Sequence, residues 1–523
     1  MQPIRLIKGF LTVGLWTLMS RVMGFARDIL IAARLGDGPV AEAFVVAFTL
    51  PNMFRRFFAE GAFNLAFVPI FSKKLEAEDG AKEFARDAFA GLAGVLIVFT
   101  LLAQLVMPWL VLAMASGFAE DERLDLATTF GRICFPYILF ISLAALLSGV
   151  LNATGRFAAA AAAPVLLNVI LVGVMLTASA QGWDFGLALS WAVPVAGVAQ
   201  MALVWVAASR AGFRLVPRMP RMTPELKRLA IIAAPAALAG GVLQVNLLVS
   251  RQVASFYDGA IQYLNLADRL YQLPLGVVAI AIGVVLLPEL SRRLAAGDEK
   301  AGQDGFNRAT EFALVLTVPA AVALVLVAGP ICSVLYQRGA FDAAAAEATA
   351  LATAAYGLGL PAFVLQKVLQ PLYYARHDTR RPMNYALVAM VVNAVAAIGL
   401  ALAFGFVGAA LGTTVAGWAM VVLLWAGSRE MGAASQVDAR LMRRLPRIAL
   451  SAALMGAVLL AVEWALGEAL YTAGVRYWAL LALVMAGIVS YFAAAHVTGA
   501  LRLGELKSAM RRGGRKAESH QDN

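Results

Sequence analysis

The residues most able to do chemistry in this chain are nine basic side chains set inside apolar runs: Arg21, Arg27, Arg34, Arg55, Arg56, Arg132, Arg251, Arg269 and Lys367. A charge at the middle of a bilayer costs about 2.5–3.5 kcal/mol even on lenient insertion scales, so each needs a partner or a purpose. Arg34 and Arg132 lie near span ends, where long side chains reach the headgroups. Arg251 and Lys367 read either way. The others cluster. In Ser20-Arg21-Val22-Met23-Gly24-Phe25-Ala26-Arg27-Asp28, the residues Arg21, Gly24 and Asp28 share one helix face, with Arg27 beside it. Pro51-Asn52-Met53-Phe54-Arg55-Arg56-Phe57-Phe58-Ala59-Glu60-Gly61 carries two more arginines, an amide and an acid, and the same span holds Glu42. Asp268-Arg269 stands in a later span. These faces cannot meet lipid, so they are expected to line a polar cavity between the halves of the molecule.

Arg21, Arg27, Arg55, Arg56 and Arg269 are five cations against the four acids Asp28, Glu42, Glu60 and Asp268. All five cations are arginine, whose planar fork matches a phosphate with two parallel hydrogen bonds. A cavity for cationic drugs would instead favour carboxylates and aromatics. Residue chemistry therefore favours an anionic, phosphate-bearing substrate. The structural alternative is a closed network of ion pairs, Arg56 with Glu60 and Arg27 with Asp28.

The surrounding composition is that of a membrane protein. The 523 residues are 61% hydrophobic and 14% charged, with a mean hydropathy of +0.77; this excludes a soluble globular domain, a disordered chain and a disulfide scaffold. Cys134 and Cys332 sit in apolar runs and read as core residues, not a redox pair. Only His377, His496 and His520 are available for metal or acid–base work. The net charge of +11 reads as basic cytoplasmic loops, with no nucleic-acid partner expected.

A bilayer core needs about 20 apolar residues per helix. The chain offers fourteen such runs, centred near residues 22, 55, 102, 142, 168, 197, 240, 279, 322, 360, 392, 416, 456 and 488. The uncharged run 382–428 is too long for one helix and is expected to break at Phe404-Gly405-Phe406-Val407-Gly408. With the N-terminus inside, 31 Lys and Arg fall in cytoplasmic segments and three, Arg123, Arg338 and Arg476, in external loops. That asymmetry supports the count and puts both termini in the cytoplasm. No signal-peptide cleavage pattern follows the first apolar stretch, and the basic tail 501–523 reads as a solvated or headgroup-bound end.

The halves echo each other. Phe135-Pro136 with Asn168 matches Leu360-Pro361 with Asn393 at an offset of 225. Val195-Ala196-Gly197 with Trp205 matches Val415-Ala416-Gly417 with Trp425 at 220, and Val68-Pro69 with Ser72-Lys73-Lys74 matches Leu287-Pro288 with Ser291-Arg292-Arg293 at 219. An offset of six helices keeps orientation, as in parallel-repeat transporters. The expected fold is all-α: a lobe over 1–220, a second over 221–435, two extra helices in 436–500 and a cytoplasmic tail. Prolines recur in the spans, and Pro235 followed by Gly240-Gly241 makes the seventh the most deformable. There is no Walker sequence, no HExxH and no acidic metal loop, so no enzyme, cofactor or metal site is expected. Energy must come from the membrane potential, an ion gradient or the substrate's own gradient.

At these residues the chain resembles a known family. Ser20 to Asp28, Ala43-Phe44-Val45-Val46-Ala47-Phe48, Leu50 to Phe63, and Ala267-Asp268-Arg269-Leu270 with Pro274-Leu275-Gly276 are similar to the MurJ (MviN) family of bacterial lipid II flippases. The resemblance runs over essentially the whole chain. It implies the multidrug/oligosaccharidyl-lipid/polysaccharide exporter fold, with the last two helices forming a groove for a lipid tail. It implies transport of the undecaprenyl-diphosphate-linked peptidoglycan precursor from the inner to the outer leaflet of the bacterial cytoplasmic membrane. The expected partners are lipid II and membrane lipid, with cell-wall synthesis proteins, and the expected state is a monomer. Carried over position by position, Arg21, Arg27, Arg55 and Arg269 match the family's essential arginines, and Asp28 and Glu60 the acids that pair with them. Glu42 stands where some members have Asp, and Asn52 and Gly24 match helix-bending or polar-lining positions; Arg56 and Asp268 are expected to support the cavity on their own residue chemistry. One departure is that 229–256 holds no acid where some members are thought to bind sodium; the coupling ion stays open between a monovalent cation and the potential alone. The competing reading is an exporter of the same fold for drugs or another lipid-linked sugar.

Overall fold

The computed structural model describes residues 3–56, 64–215 and 218–501, with side chains described outside 1–11, 57–65, 216–217, 233–247 and most of 277–289. Its regular structure is helical. In chain order run α1 (Pro3–Leu35), α2 (Pro39–Arg55), α3 (Asn64–Glu76), α4 (Ala81–Leu105), α5 (Met107–Met114), α6 (Glu122–Cys134), α7 (Tyr137–Ala153), α8 (Ala158–Gln181), α9 (Phe185–Arg210) and α10 (Pro224–Ala254). They are followed by α11 (Ala260–Ala295), α12 (Glu299–Leu326), α13 (Ala328–Tyr336), α14 (Ala343–Tyr374), α15 (Arg380–Phe404), α16 (Val407–Ser428), α17 (Ala439–Leu466) and α18 (Arg476–Thr498).

Among the described residues, ten helical stretches are long and apolar enough to cross a bilayer. The chain is a multi-pass membrane protein. The four remaining expected centres fall on α1, α2, α10 and α11, three of which carry the clustered arginines.

Proline and glycine set the helix ends. Pro108 starts α5 directly after α4, and Pro136 separates α6 from α7, because each ring lacks the N–H a continuing helix would use. The run 382–428 breaks where expected, at Gly405, whose φ of +60° lies in the left-handed region. The same glycine-rich sequence then packs the two helices closely. A Cβ on Gly412 would stand 2.6 Å from the Ala397 backbone, and one on Gly408 would overlap Ala401. Gly412→Val should therefore cost about 1–3 kcal/mol through overpacking, read as a lower unfolding midpoint of the purified protein. Gly399→Val, with open space around its Cβ position, should cost little, since valine is no poorer a helix former than glycine.

The chain divides into two compact units, residues 1–262 with 338–345, and residues 263–337 with 346–523. Helix α10, which the repeat assigned to the second lobe, groups with the first unit, and its fastenings explain why. At its N-terminal end Lys74 meets Glu225 at 2.7 Å, and Leu226 lies against Gly91. The preceding linker adds Arg218 on Asp87 and Pro220 against Gly94. At the C-terminal end Gln252 accepts the Ser116 N–H and donates to the Leu112 and Ala113 carbonyls, while Ser255 accepts the Gly117 N–H.

The segment 338–345 is tied to the turn between α1 and α2. The Ala340 N–H donates to the Ala33 carbonyl at 2.9 Å. Gly339, at φ +58°, lies so close to Ala33 that a Cβ would meet the carbonyl, and Gly36, at φ +66°, faces Ala340 in the same way. Both glycines are required by backbone angle and by space.

In the second unit, α17 and α18 pack on α12 through Val315, Ile448, Met455, Leu459, Leu483 and Tyr491. The Tyr491 hydroxyl donates to the Val315 carbonyl at 2.7 Å. Beside this core an apolar cavity of about 240 Å³ is lined by Pro319, Leu459, Leu483, Ile488, Phe492 and their neighbours. Glu311, buried on α12, accepts from Arg308, Arg440 and the buried Arg444, which fixes the start of α17.

Candidate functional site

Helix α1 presents its basic face in the first unit. Arg27 is 6% exposed and Asp28 5%. Arg27 Nε and Nη2 both donate to Asp28 Oδ1, at 3.0 and 2.6 Å. Nη1 donates to Asn168 Oδ1 on α8 at 2.9 Å, and the guanidinium lies 5.6 Å from the Phe48 ring of α2. A guanidinium has five N–H donors. Three are thus engaged, and the two left are one on each terminal nitrogen, the spacing a phosphate can bridge. The site holds a buried cation that is paired yet keeps donor capacity.

The other expected residues take their places around the helix ends. Arg21 is exposed, one and a half turns before Arg27. Arg55 is half-buried in the last turn of α2, and Arg56 is its exposed C-cap. Asn52, half-buried and next to Pro51, donates back to the Phe48 carbonyl at 2.8 Å. Gly24 is half-buried, and a Cβ there would touch the Asn168 amide at 3.5 Å, ordinary contact. In the second unit, Asp268 and Arg269 are half-buried on α11, and Gln272 one turn on donates to Asp268. Glu60 lies outside the described residues. The backbone of Pro235, Gly240 and Gly241 is helical within α10, and their side-chain surroundings also lie outside them.

Glu42, for which the sequence names no partner, pairs with Arg123. It is 1% exposed near the start of α2, where Oε2 accepts from Arg123 Nη1 at 2.8 Å and Oε1 accepts the Ile261 N–H at 3.0 Å. Arg123 is itself 6% exposed; it also binds Asp121 at 2.5 Å and Asp258 at 3.5 Å, and stacks 4.5 Å over Phe118. Burial pushes the Asp121 carboxyl up, but hydrogen bonds from Arg123 outweigh it and hold Asp121 below the usual range. Arg123 thus joins α2, the entry to α6 and the α10–α11 turn. The sequence showed it only as a loop charge. Asp121 two residues before it was the one local hint, since Glu42 is 81 residues away.

Among the described residues no three His, Cys, Asp or Glu side chains gather into a metal site. Cys134 and Cys332 are both buried, against the Ser190 carbonyl and the Thr353 hydroxyl.

Comparison with known proteins gives the family and the fold. The family model described as "Lipid II flippase MurJ" matches residues 31–493. The chain is 45% identical over 519 residues to the probable lipid II flippase MurJ of Rhizobium meliloti (strain 1021), covering 97% of each. It is 35% identical over 442 residues to the lipid II flippase MurJ of Burkholderia cenocepacia, covering 82% of this chain and 85% of that one. A solved lipid II flippase MurJ in an inward closed conformation superposes with a TM-score of 0.78 at 24% identity, over 93% of this chain and 98% of that one. An inward-facing multidrug resistance MATE transporter of the MOP superfamily gives 0.65 at 14% identity, over 82% and 99%; that likeness is one of fold. Family match, near-full-length relatives and fold together establish that this chain is a member of the lipid II flippase MurJ family.

Proposed function

We propose that this protein is the flippase that carries lipid II, the polyprenyl-diphosphate-linked peptidoglycan precursor, across the bacterial cytoplasmic membrane from the inner to the outer leaflet. It is a transporter and not an enzyme. The observation that carries the reading is Arg27: a buried arginine within a membrane helix, held by one carboxylate and one amide, with a donor left on each terminal nitrogen. The diphosphate is taken by Arg21, Arg27, Arg55 and Arg269, and Asp28 with Glu60 and Asp268 receives the arginines once it leaves. The diphosphate takes the two donors that Arg27 keeps beside its Asp28 pair, and the acids balance the arginines once it has left, so access can alternate without stranding a charge. The polar head crosses within the protein while the polyprenyl tail stays in lipid. The apolar cavity beside α17 and α18 supports a place for that tail, since it is lined by aliphatic and aromatic side chains. Both termini lie in the cytoplasm, and the membrane potential or a monovalent cation gradient supplies the energy, at about 2.3 kcal/mol per charge per 100 mV.

Depletion of the protein in its host, with a leaflet-resolved assay of lipid-linked precursor, tests this. Precursor trapped on the cytoplasmic side, followed by lysis, is the expected result. Normal delivery to the outer leaflet in cells without another flippase would overturn the reading.

A further inference from the structure

We infer that Asn168 of α8 is a positioning residue for Arg27, aiming its guanidinium at the substrate phosphate without neutralising it. The inference rests on Arg27 being the phosphate-engaging residue proposed above. Asn168 is 5% exposed within an apolar helix, so both ends of its amide must find partners. They do, on separate groups. Oδ1 accepts from Arg27 Nη1 at 2.9 Å, while Nδ2 donates to the Ser20 carbonyl at 3.0 Å and the Pro164 carbonyl at 3.4 Å. The opposite amide orientation would set N–H against N–H at Arg27 and oxygen against two carbonyls, so the arrangement is unique.

The amide reads one face of α1. Ser20, Gly24 and Arg27 are spaced four and three apart and stack on that face. Asn168 contacts the carbonyl of the first, lies over the bare second, with a Cβ position 3.5 Å from Nδ2, and holds the side chain of the third. Asp28 occupies the Nε–Nη2 edge of Arg27 and supplies the one full negative charge. A second carboxylate at position 168 would fix Nη1 equally well, but together with Asp28 it would leave the group net negative and repel the diphosphate. A neutral acceptor fixes direction and leaves the attraction intact, which is preorganisation at little electrostatic cost. Helix packing alone does not ask for this, because an apolar side chain would fill the same gap without a polar group to satisfy.

The test uses the purified full chain in lipid nanodiscs, titrated with undecaprenyl diphosphate. Asn168→Ala should weaken binding about tenfold, the worth of one hydrogen bond to a charged group. In an Arg27→Ala background the same change should make no further difference, because Asn168 acts through Arg27. Asn168→Gln keeps the amide but displaces the acceptor by one methylene. It should weaken binding in the same way, and it serves if the alanine variant does not accumulate. Unchanged affinity in a folded Asn168 variant, or a further tenfold loss on top of Arg27→Ala, would overturn the inference. A wild-type protein that does not bind the diphosphate at all would instead overturn the substrate reading, and this inference with it.

Discussion

Arg27→Ala is expected to abolish growth complementation while the protein remains in the membrane at near-normal abundance. The side chain supplies two N–H groups to the substrate after Asp28 and Asn168 have taken three. Two hydrogen bonds between charged groups, at about 1.5–3 kcal/mol each, put the loss of substrate affinity at about 100-fold or more. Arg27→Lys should fail as well. One ammonium cannot span Asp28, Asn168 and a phosphate at once, and it has no planar fork. Arg269→Ala should share the phenotype. Complementation by Arg27→Lys at wild-type levels would show that charge alone suffices; complementation by Arg27→Ala would remove the arginine from the mechanism. Immunoblots of membrane fractions separate either result from simple loss of protein.

Arg123→Ala is expected to be the most destabilising single change in the first unit, at about 3–5 kcal/mol, because it leaves a buried carboxylate uncompensated. Glu42 is 1% exposed and keeps only backbone N–H groups, of Ile261 and Gly259, to offset its charge, while the packing of Arg123 over Phe118 is lost at the same time. Glu42→Gln should cost less, since an amide oxygen still accepts from Arg123 and carries no charge to bury, and the loss is then the Ile261 N–H left facing an amide NH2. Replacing both residues by methionine should recover most of the stability of the single mutant, as buried ion pairs often trade evenly against apolar residues of similar size. Thermal unfolding of the purified variants reads all three. A midpoint for Arg123→Ala within a degree or two of wild type would show that water reaches Glu42.

The legible parts of this molecule were those in which neighbours in sequence are neighbours in space. Arg27 and Asp28 are adjacent, and they pair. Gly405 breaks the long run 382–428 because only glycine adopts its backbone angle freely. The spacing of three and four puts Arg21, Gly24 and Asp28 on one face of α1 because a helix imposes it, whereas it does not tell that Arg27 is buried and Arg21 exposed. Contacts that cross the chain left no such trace. Asn168 was visible only as a repeated residue, since its bond to Arg27 spans 141 positions. Arg123 reads from the sequence as a solvated loop charge, whereas it stands in the first turn of α6, buried against Glu42 and Asp121. The placement of α10 with the first unit was hidden for the same reason: the repeat predicts which helices correspond, whereas side chains such as Gln252 and Glu225 decide which ones they fasten to.

The segment 338–345 completes the first unit from a position far along the chain. It bonds to Ala33, more than 300 residues earlier. A chain emerging from the ribosome therefore cannot finish its first unit when that unit's helices have been made. It must hold the α1–α2 turn open until α11, α12 and α13 have been inserted, and only then close it with the Gly339–Ala340 pair. Biogenesis of the two units is interleaved, and a fragment ending at residue 262 is an incomplete unit for want of eight residues it never receives.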